Sequence, residues 1–330
     1  MAQAIAYKNL GVAVESSYGA SIALATYLPV KSFSMSLDPN FTLKEDTTAS
    51  ALGYDRSAYL RNVYDGSVDF NVDPISVKYW LKLGFGIPGT GVTVGTAFIP
   101  GGGATAIGFL PQNTGVLPSY RLDKDENTAV AAFLGIISKS MEIKSSGDFV
   151  EGSLTLSAKE QFTGTTLSPT GLTINPLVFA ESKVYYGATI TGCTTAVDVE
   201  DWSFTYDTQA EVSYLSGNRN ANRVDAKIPK LSGSWTRFYD DTNFDTFVTN
   251  QSNRAIRIEI VSAQAYSGTS AYRLNFYFPN VRISKSERPY EAGGFIKETV
   301  TFEGFYDSIV GYMARAVLHN GQSIGTGMGL

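Results

Sequence analysis

Apolar and polar side chains alternate along most of this chain, which is the pattern of β-strands that bury one face. The alternation is clearest at residues 33–37 and 67–73. Other segments rich in β-branched and aromatic residues lie at residues 141–144, 149–157, 202–206, 234–239, 256–261, 272–278 and 296–302. This composition is typical of strands, so the pattern predicts an all-β protein.

Two short segments instead repeat their apolar residues every three or four positions, which predicts helices. The first is residues 74–85. Asp73 stands just before Pro74, where a carboxylate can accept hydrogen bonds from the free N–H groups of a first turn. The second is residues 243–250, whose apolar residues share one face. Helices are therefore minor elements of the predicted fold.

The same elements recur in the same order in the two halves of the chain, which predicts an internal duplication. Each half has a strand, a long polar stretch, a strand that opens with Gly-Ser, a short helix and closing strands. The matched segments are residues 32–33 with 203–204, 40–62 with 209–230, 66–70 with 233–238, 120–122 with 272–274, and 149–156 with 295–302. The last pair aligns without a gap.

The predicted fold is two tandem β-sandwich or barrel domains, each with one short α-helix and one long loop. The predicted parts are an N-terminal arm at 1–30, a first domain at 31–162, a linker at 163–185, a second domain at 186–307 and a C-terminal tail at 308–330. Residues 86–115 are Gly-rich and have no counterpart, so we expect a surface excursion there. Open sheet edges invite pairing between chains, and three chains of two domains would close a ring of six domains.

Composition narrows the classes of function. The chain has 330 residues, of which 43% are hydrophobic and 17% charged, and its net charge is −5. An acidic chain has no general attraction for DNA or anionic lipid, so tight binding to either is not expected. No apolar run approaches the roughly 20 residues that span a bilayer, and residues 1–10 do not read as a secretory signal. We expect a soluble protein made in a reducing compartment.

The sequence has no pattern that is typical of catalysis or metal binding. The one histidine, His319, has no carboxylate or nucleophile beside it. The one cysteine, Cys193, allows no internal disulfide and is expected to be a partly exposed thiol. The glycines at 101–103 lack the Lys-Ser or Lys-Thr of a phosphate loop. We therefore predict no enzyme activity, no catalytic, cofactor-binding or metal-binding residues and no cofactor.

The opening Gly11-Val12-Ala13-Val14-Glu15-Ser16-Ser17-Tyr18-Gly19-Ala20, followed by Tyr27-Leu28-Pro29-Val30, resembles that of siphophage major tail tube proteins. The resemblance continues through Gly53-Tyr54-Asp55-Arg56 and through Gly66-Ser67 before the Pro74 helix. The second half is similar to that of tube proteins with two tube domains per chain. The resemblance covers about residues 10–160 and 195–305.

This resemblance implies a structural protein that polymerises as stacked rings, trimers with pseudo-sixfold symmetry, into the tail tube through which genome DNA is ejected. The implied partners are further copies of the chain, the tape measure, terminator and distal tail proteins, and DNA that passes without tight binding, but no membrane. The implied location is the virion tail, after synthesis in the host cytoplasm. The alternative is a β-sandwich adhesin module of a phage or bacterium that binds a glycan.

The resemblance also implies an inner sheet that lines the channel and a long loop that reaches the next ring. The lumen-facing candidates are Asp69, Asn71, Asp73, Glu142 and Glu151. The candidates for contacts between rings lie in the two long polar stretches and are Asp55, Arg56, Arg61, Arg219 and Arg223. For both sets the alternative is an ordinary solvated surface.

Overall fold

The computed structural model describes residues 9–24, 26–44, 56–86, 106–111, 117–125, 129–164, 167, 175–289 and 295–321. Within these ranges the chain is all-β with two short helices, as predicted. The elements of the first half are β1 (Asn9–Val14), β2 (Thr26–Pro29), β3 (Ser32–Lys44), β4 (Arg56–Asn71), α1 (Val77–Phe85), β5 (Ala106–Phe109), β6 (Tyr120–Asp125), β7 (Val130–Ser145), β8 (Val150–Ala158) and β9 (Glu160–Thr163).

The second half begins after a single 3-10 turn, Phe179–Glu181. Its elements are β10 (Ser182–Gly187), β11 (Thr195–Val197), β12 (Val199–Asp207), β13 (Glu211–Ser213), β14 (Arg223–Asp225), β15 (Lys230–Phe238), α2 (Asn243–Thr249), β16 (Asn253–Ser267), β17 (Ser270–Glu287), β18 (Lys297–Gly304) and β19 (Arg315–His319). Each segment predicted as a strand overlaps one of the observed strands.

The strands of the first half form two layers that share β7. The front layer has the order β3-β4-β8-β7, and the back layer has the order β2-β1-β6-β7-β9, with antiparallel pairing throughout. One strand can join both layers because its register with β8 shifts between Ser138 and Ser140, and a bulge of this kind bends a strand.

The second half repeats this arrangement. Its front layer is β12-β15-β18-β17, and its back layer is β11-β10-β16-β17-β19. The shared strand β17 carries its own register shift, between Ile283 and Lys285. Because Ile283 faces Phe302 as Ser138 faces Leu156, the two shifts fall at equivalent places.

Individual residue pairs recur as well as strands, which supports the predicted duplication. The recurring cross-strand pairs are Gly66–Leu156 with Gly233–Phe302, Val68–Leu154 with Trp235–Val300, and Ser34–Ser67 with Ser203–Ser234. The first two follow the predicted alignments. The third does not, since the counterpart of Ser203 is Ser34 rather than Ser32.

The predicted match of residues 120–122 with 272–274 is wrong. Tyr120 lies on β6, which corresponds to β16, whereas Tyr272 lies on β17, which corresponds to β7. The motif Tyr-Arg-Leu occurs on strands in different positions of the two halves, so it carries no register information.

The two halves are joined by direct strand pairing between β7 and β12. Glu142 lies opposite Thr205, and Met141 lies opposite Tyr206. Behind this pairing the ring of Phe85, at the end of α1, stacks on Tyr206 with 5.0 Å between centroids. Buried side chains of both halves form one continuous cluster, so the junction is built like a protein interior.

The ends of the two predicted domains differ from expectation. The proposed arm at 1–30 includes β1 and β2, which pair inside the back layer, and the proposed tail at 308–330 includes β19, which pairs with β17. Within the Gly-rich stretch 86–115, β5 pairs with β19 and buries Ile107 and Phe109. The described part of this stretch therefore crosses from the first half to the second.

The two long polar stretches are hairpins in their described parts. In the first, β3 and β4 stay paired as far as Lys44 and Arg56. In the second, β13 pairs with β14 as a separate two-stranded sheet. The period-two signal is weak in such exposed ribbons because both faces meet water, and this explains why the sequence predicted loops.

Glu15, in the N-terminal segment that resembles tube proteins, holds three separate pieces of the first half together. Its carboxylate accepts hydrogen bonds from the backbone N–H of Gly19 at 2.7 Å and of Gly135 at 2.8 Å, and from Ser119 Oγ at 2.7 Å. Gly135 has a φ of +63°, which favours glycine. Burial raises the pKa of Glu15 above its ordinary value, although these hydrogen bonds act in the opposite direction.

Replacement of Glu15 by Ala should lower the free energy of unfolding by about 2–4 kcal/mol, because two buried N–H groups lose their acceptor. Urea unfolding at neutral pH measures the change. The matched control is Glu142→Ala on a half-buried strand position, which should change stability little. Equal effects of the two substitutions would contradict this role of Glu15.

Candidate functional site

The two front layers form one antiparallel sheet in the order β3-β4-β8-β7-β12-β15-β18-β17. On one face the side chains are buried against the back layers, and the other face is open. The open face is rich in hydroxyl groups, which are exposed or half-buried: Ser32, Ser34, Ser36, Ser67, Ser153, Thr155, Ser203, Thr205, Ser232, Ser234, Thr236, Thr299 and Thr301. We call this surface the hydroxyl face.

Hydroxyl groups on adjacent strands contact one another across this face. Ser34 Oγ lies 3.1 Å from Ser67 Oγ, and Ser203 Oγ lies 3.2 Å from Ser234 Oγ. In each of these two pairs the hydroxyl groups satisfy each other across neighbouring strands.

Charged residues of the hydroxyl face include three of the predicted lumen candidates. Asp69, Glu142 and Glu151 line one depression of about 390 Å³ together with Lys31 and Lys144. Lys31 Nζ pairs with Glu151 Oε1, and Ser32 Oγ donates to Asp69 Oδ2 at 2.5 Å. The fold thus brings together residues that are more than 70 positions apart in sequence, Asp69 with Glu142 and Glu151.

The other two lumen candidates lie differently. Asn71 ends β4 and is half-buried. Asp73 is only 4% exposed, and its carboxylate accepts hydrogen bonds from Ile75 N at 2.9 Å and Ser76 N at 2.7 Å. Asp73 therefore fixes the turn that precedes α1, which starts at Val77 rather than at Pro74. Its burial removes it from the open face.

The candidates for contacts between rings meet partners of their own chain. Arg61 places its guanidinium 4.7 Å from the ring centroid of Tyr214, and the carbonyl of Arg219 accepts a hydrogen bond from Asn62 N at 2.9 Å. Arg223 Nε pairs with Asp225 Oδ1 at 2.5 Å. Asp55 lies outside the described residues, and of Arg56 only the backbone is described.

These contacts place the second hairpin against the base of the first. Tyr214 Oη donates to Asn62 O at 2.9 Å, and Asn62 Nδ2 donates to Asn220 Oδ1 at 2.6 Å. The two polar stretches match by position in the sequence, but no sequence pattern predicted that they touch. An Asn-rich segment, Asn218 to Asn222, was the available signal, because Asn favours turns that present backbone groups.

Both ends of the front sheet are open among the described residues. At one end β3 pairs only with β4, and at the other residues 285–287 of β17 pair only with β18. The counterpart of β3 is β12, which is covered by β7. As a result Leu37 is 44% exposed, while its counterpart Tyr206 is 3% exposed.

The two helices show the same contrast. All nine residues of α1 are buried, because the helix lies at the junction of the halves and contacts β5, β7 and β19. In α2, at the far flank of the second half, Phe244 is the only buried residue. The helix of the first half is thus buried beside the second half, whereas most of the second helix, which has no such neighbour in the single chain, is not buried.

The residues that could carry chemistry are buried or occupied. Cys193, predicted to be partly exposed, is buried, and burial raises the pKa of its thiol to about 12. Within the described ranges, no group of three or more His, Cys, Asp or Glu side chains is arranged so that it could hold a metal ion. A groove of about 740 Å³ opens beside Tyr277, Tyr306, Tyr312 and Arg315.

The fold defines a class of protein: an all-β protein whose front sheet has two open ends among the described residues. Comparison with known families identifies the family. The sequence pattern of the family described as "Phage tail tube protein" matches residues 8–304, and the chain therefore belongs to the phage tail tube proteins. This family is structural rather than enzymatic and belongs to the virion tail. A search of curated proteins found no match.

In the described part of the chain, neither helix is long and apolar enough to cross a bilayer.

His319 provides a test of the fold at the junction. Burial, and then the nearby charge of Arg273, lowers its pKa from 6.5 to about 4. The folded chain therefore holds His319 neutral where the unfolded chain protonates it, so this residue makes folding less favourable as the pH falls from 6.5 towards 4.

Because His319 is the only histidine, its ring protons can be followed individually by NMR in the protein without a histidine tag. The midpoint should lie near pH 4 in the folded chain. In urea it should return to about 6.5, which serves as the control. A folded midpoint at or above pH 6 would show that β19 is not buried.

Proposed function

We propose that this chain assembles as stacked rings, each a trimer with pseudo-sixfold symmetry, that form the tail tube and conduct DNA. One observation carries the proposal: the junction between the halves covers a sheet edge and buries a helix, whereas among the described residues the equivalent sheet edge is open and the equivalent helix is less buried. Repetition of the internal junction between copies would cover this edge and this helix and close the front sheets into a ring.

The register of the internal junction predicts the register between copies. Within the chain β12 lies along β7 with Tyr206 opposite Met141. The counterparts of these two residues are Leu37 and Ser286, so β3 of one copy would lie along β17 of the next. Asp38 would then stand opposite Lys285, and opposite charges on facing residues favour pairing.

The helix α2 would be covered in the same step. The helix α1 contacts β19, which pairs with the first part of β17. The strand in the same place in the first half is β9, which pairs with the first part of β7. We therefore expect α2 to pack beside β9 of the next copy.

A closed ring leaves the hydroxyl face as the candidate lining of the channel. This face carries the carboxylates Asp38, Asp65, Asp69, Glu142, Glu151, Asp201, Asp207, Glu287 and Glu303 against the basic residues Lys31, Lys139, Lys144, Lys230, Arg282, Lys285 and Lys297. Excess negative charge repels phosphates, which suits a conduit that DNA must leave. The hairpins that include Arg56, Arg61, Arg219 and Arg223 remain the proposed contacts between rings, and enzyme activity is not part of the proposal.

Substitution of Leu37 by Asp should prevent ring formation without unfolding the chain. Leu37 is open to solvent in the single chain, yet its counterpart is buried, so a charge there costs nothing until copies pair. We expect the protein concentration needed for rings to rise at least about tenfold, the equivalent of roughly 1.4 kcal/mol. Negative-stain microscopy and sedimentation measure it. Thr155→Asp, in the middle of the hydroxyl face, is the matched control, and rings of Leu37→Asp at the parental concentration would refute the proposed edge.

Reversal of charge at Asp69, Glu142 and Glu151 to Lys should slow DNA ejection but leave assembly intact, because lysines on a channel wall attract phosphates. The rate of DNA release from virions carrying the substituted chain measures the effect, which should weaken as salt is added. Asp148→Lys, in the exposed turn before β8, is the control. Unchanged release at low salt would take these residues out of the channel.

A further inference from the structure

A short segment after the first half seals the end of the front sheet. Leu177 N donates to Val72 O at 2.8 Å, and Val150 N donates to Leu177 O at 2.9 Å. Val178 forms a β-bridge with Phe149. Leu177 is 1% exposed and Val150 is fully buried, so this segment completes both the hydrogen bonding and the core at this point.

At the equivalent place in the second half, no such segment occurs among the described residues. Tyr239 N donates to Ile296 O at 3.0 Å, which repeats the bond from Val72 N to Val150 O. Ile296 N and Tyr239 O, the groups that a counterpart of Leu177 would bind, have no backbone partner among the described residues.

Apolar side chains are left open around this place. Phe295 is 85% exposed and Ile296 is 46% exposed, although the counterpart of Ile296 is Val150. The rings of Phe238 and Phe295 contact each other edge to face, with 5.8 Å between centroids. We call the strip between Tyr239 and Ile296 the empty slot. Among the described residues, it presents one N–H and one C=O without a backbone partner and an apolar surface, which is what an added strand requires.

The chain itself indicates what fills the slot. The segment around Leu177 leads directly into β10, and the counterpart of β10 is β1: Tyr186 faces Ile256 on β16 as Val12 faces Leu122 on β6. Leu177 lies nine residues before Tyr186, and the residue nine positions before Val12 is Gln3. The residues that precede β1 therefore have the length to reach an equivalent slot.

We propose that residues 1–8 of one copy add a strand to the empty slot of the neighbouring copy. The proposal rests on the proposed ring, in which the first half of one copy stands next to the second half of another. The segment Met1-Ala2-Gln3-Ala4-Ile5-Ala6-Tyr7-Lys8 has one charge and small alternate residues, so it can lie flat across the rings of Phe238 and Phe295. Each copy donates its arm to one neighbour and accepts an arm from the other.

Disulfide trapping tests this contact directly. Ala4 is the counterpart of Val178, and Phe295 is the counterpart of Phe149, so Ala4→Cys and Phe295→Cys should bring two sulfur atoms within bonding range. The two substitutions are placed in separate chains, one of which carries an affinity tag. A bond can then form only between copies. Buried Cys193 stays in both chains, since its burial keeps it from reacting.

The mixed chains should give a covalent heterodimer on a non-reducing gel after mild oxidation. The matched control pairs Ala4→Cys with Phe149→Cys, whose slot is already filled by Val178, and it should give no heterodimer. Equal yields in the two mixtures, or a bond only when both cysteines share one chain, would overturn the proposal. So would trapping of Phe295→Cys by a cysteine in residues 322–330 in place of Ala4.

Microscopy of the same samples separates this inference from the proposed function. Heterodimer without rings or tubes would support the arm contact and count against the tube, whereas tubes without heterodimer would support the tube and overturn the arm contact. A chain that lacks residues 1–8 adds a second measurement. It should need at least about tenfold more protein to form rings, because the two backbone hydrogen bonds of the slot are lost, and an unchanged requirement would also overturn the proposal.

Discussion

An unpaired strand edge is the constraint on which the rest of this structure depends. Backbone N–H and C=O groups at an edge need partners, and an open sheet always has two edge strands. Between the halves the problem is solved by pairing β7 with β12 over a shared core that includes Phe85 and Tyr206. Among the described residues, no second strand pairs with β3 or with residues 285–287 of β17, so these edges are open in the single chain.

The two halves keep one backbone plan while their side chains diverge in linked pairs. In the first half the Phe70 ring lies over Gly152, where an added Cβ would approach it to 2.4 Å. At the equivalent positions of the second half Arg237 Nε donates to Glu298 Oε2 at 2.6 Å, with both side chains buried. Both members of such a pair must change together, because a large ring needs the glycine opposite it and a buried charge without its partner is costly. Low identity between the halves is thus compatible with the same register.

The all-β class, both helices and two of the residue alignments could be predicted from sequence because they depend on local period and on gapless strands. Register across long separations could not, so the counterpart of Ser203 was misplaced by two residues. The pairing of β5 with β19 was also beyond the sequence, because Ala106–Phe109 is a short apolar run in a Gly-rich stretch. For Asp73 the signal was present: its carboxylate accepts from Ile75 N and Ser76 N, as an acid just before the Pro74 turn should.

Open edges would also allow copies to pair in unproductive ways, and the side chains at the two edges limit this. The β3 edge carries Asp38 and then Pro39, and the β17 edge carries Lys285 and, after Arg288, Pro289. Two β3 edges paired about Asp38 would bring two carboxylates together, which opposes that pairing. Pro39 has no N–H to donate, so it interrupts a ladder added along β3. In the proposed ring, these features favour pairing of a β3 edge with the β17 edge of the next copy over pairing of two β3 edges.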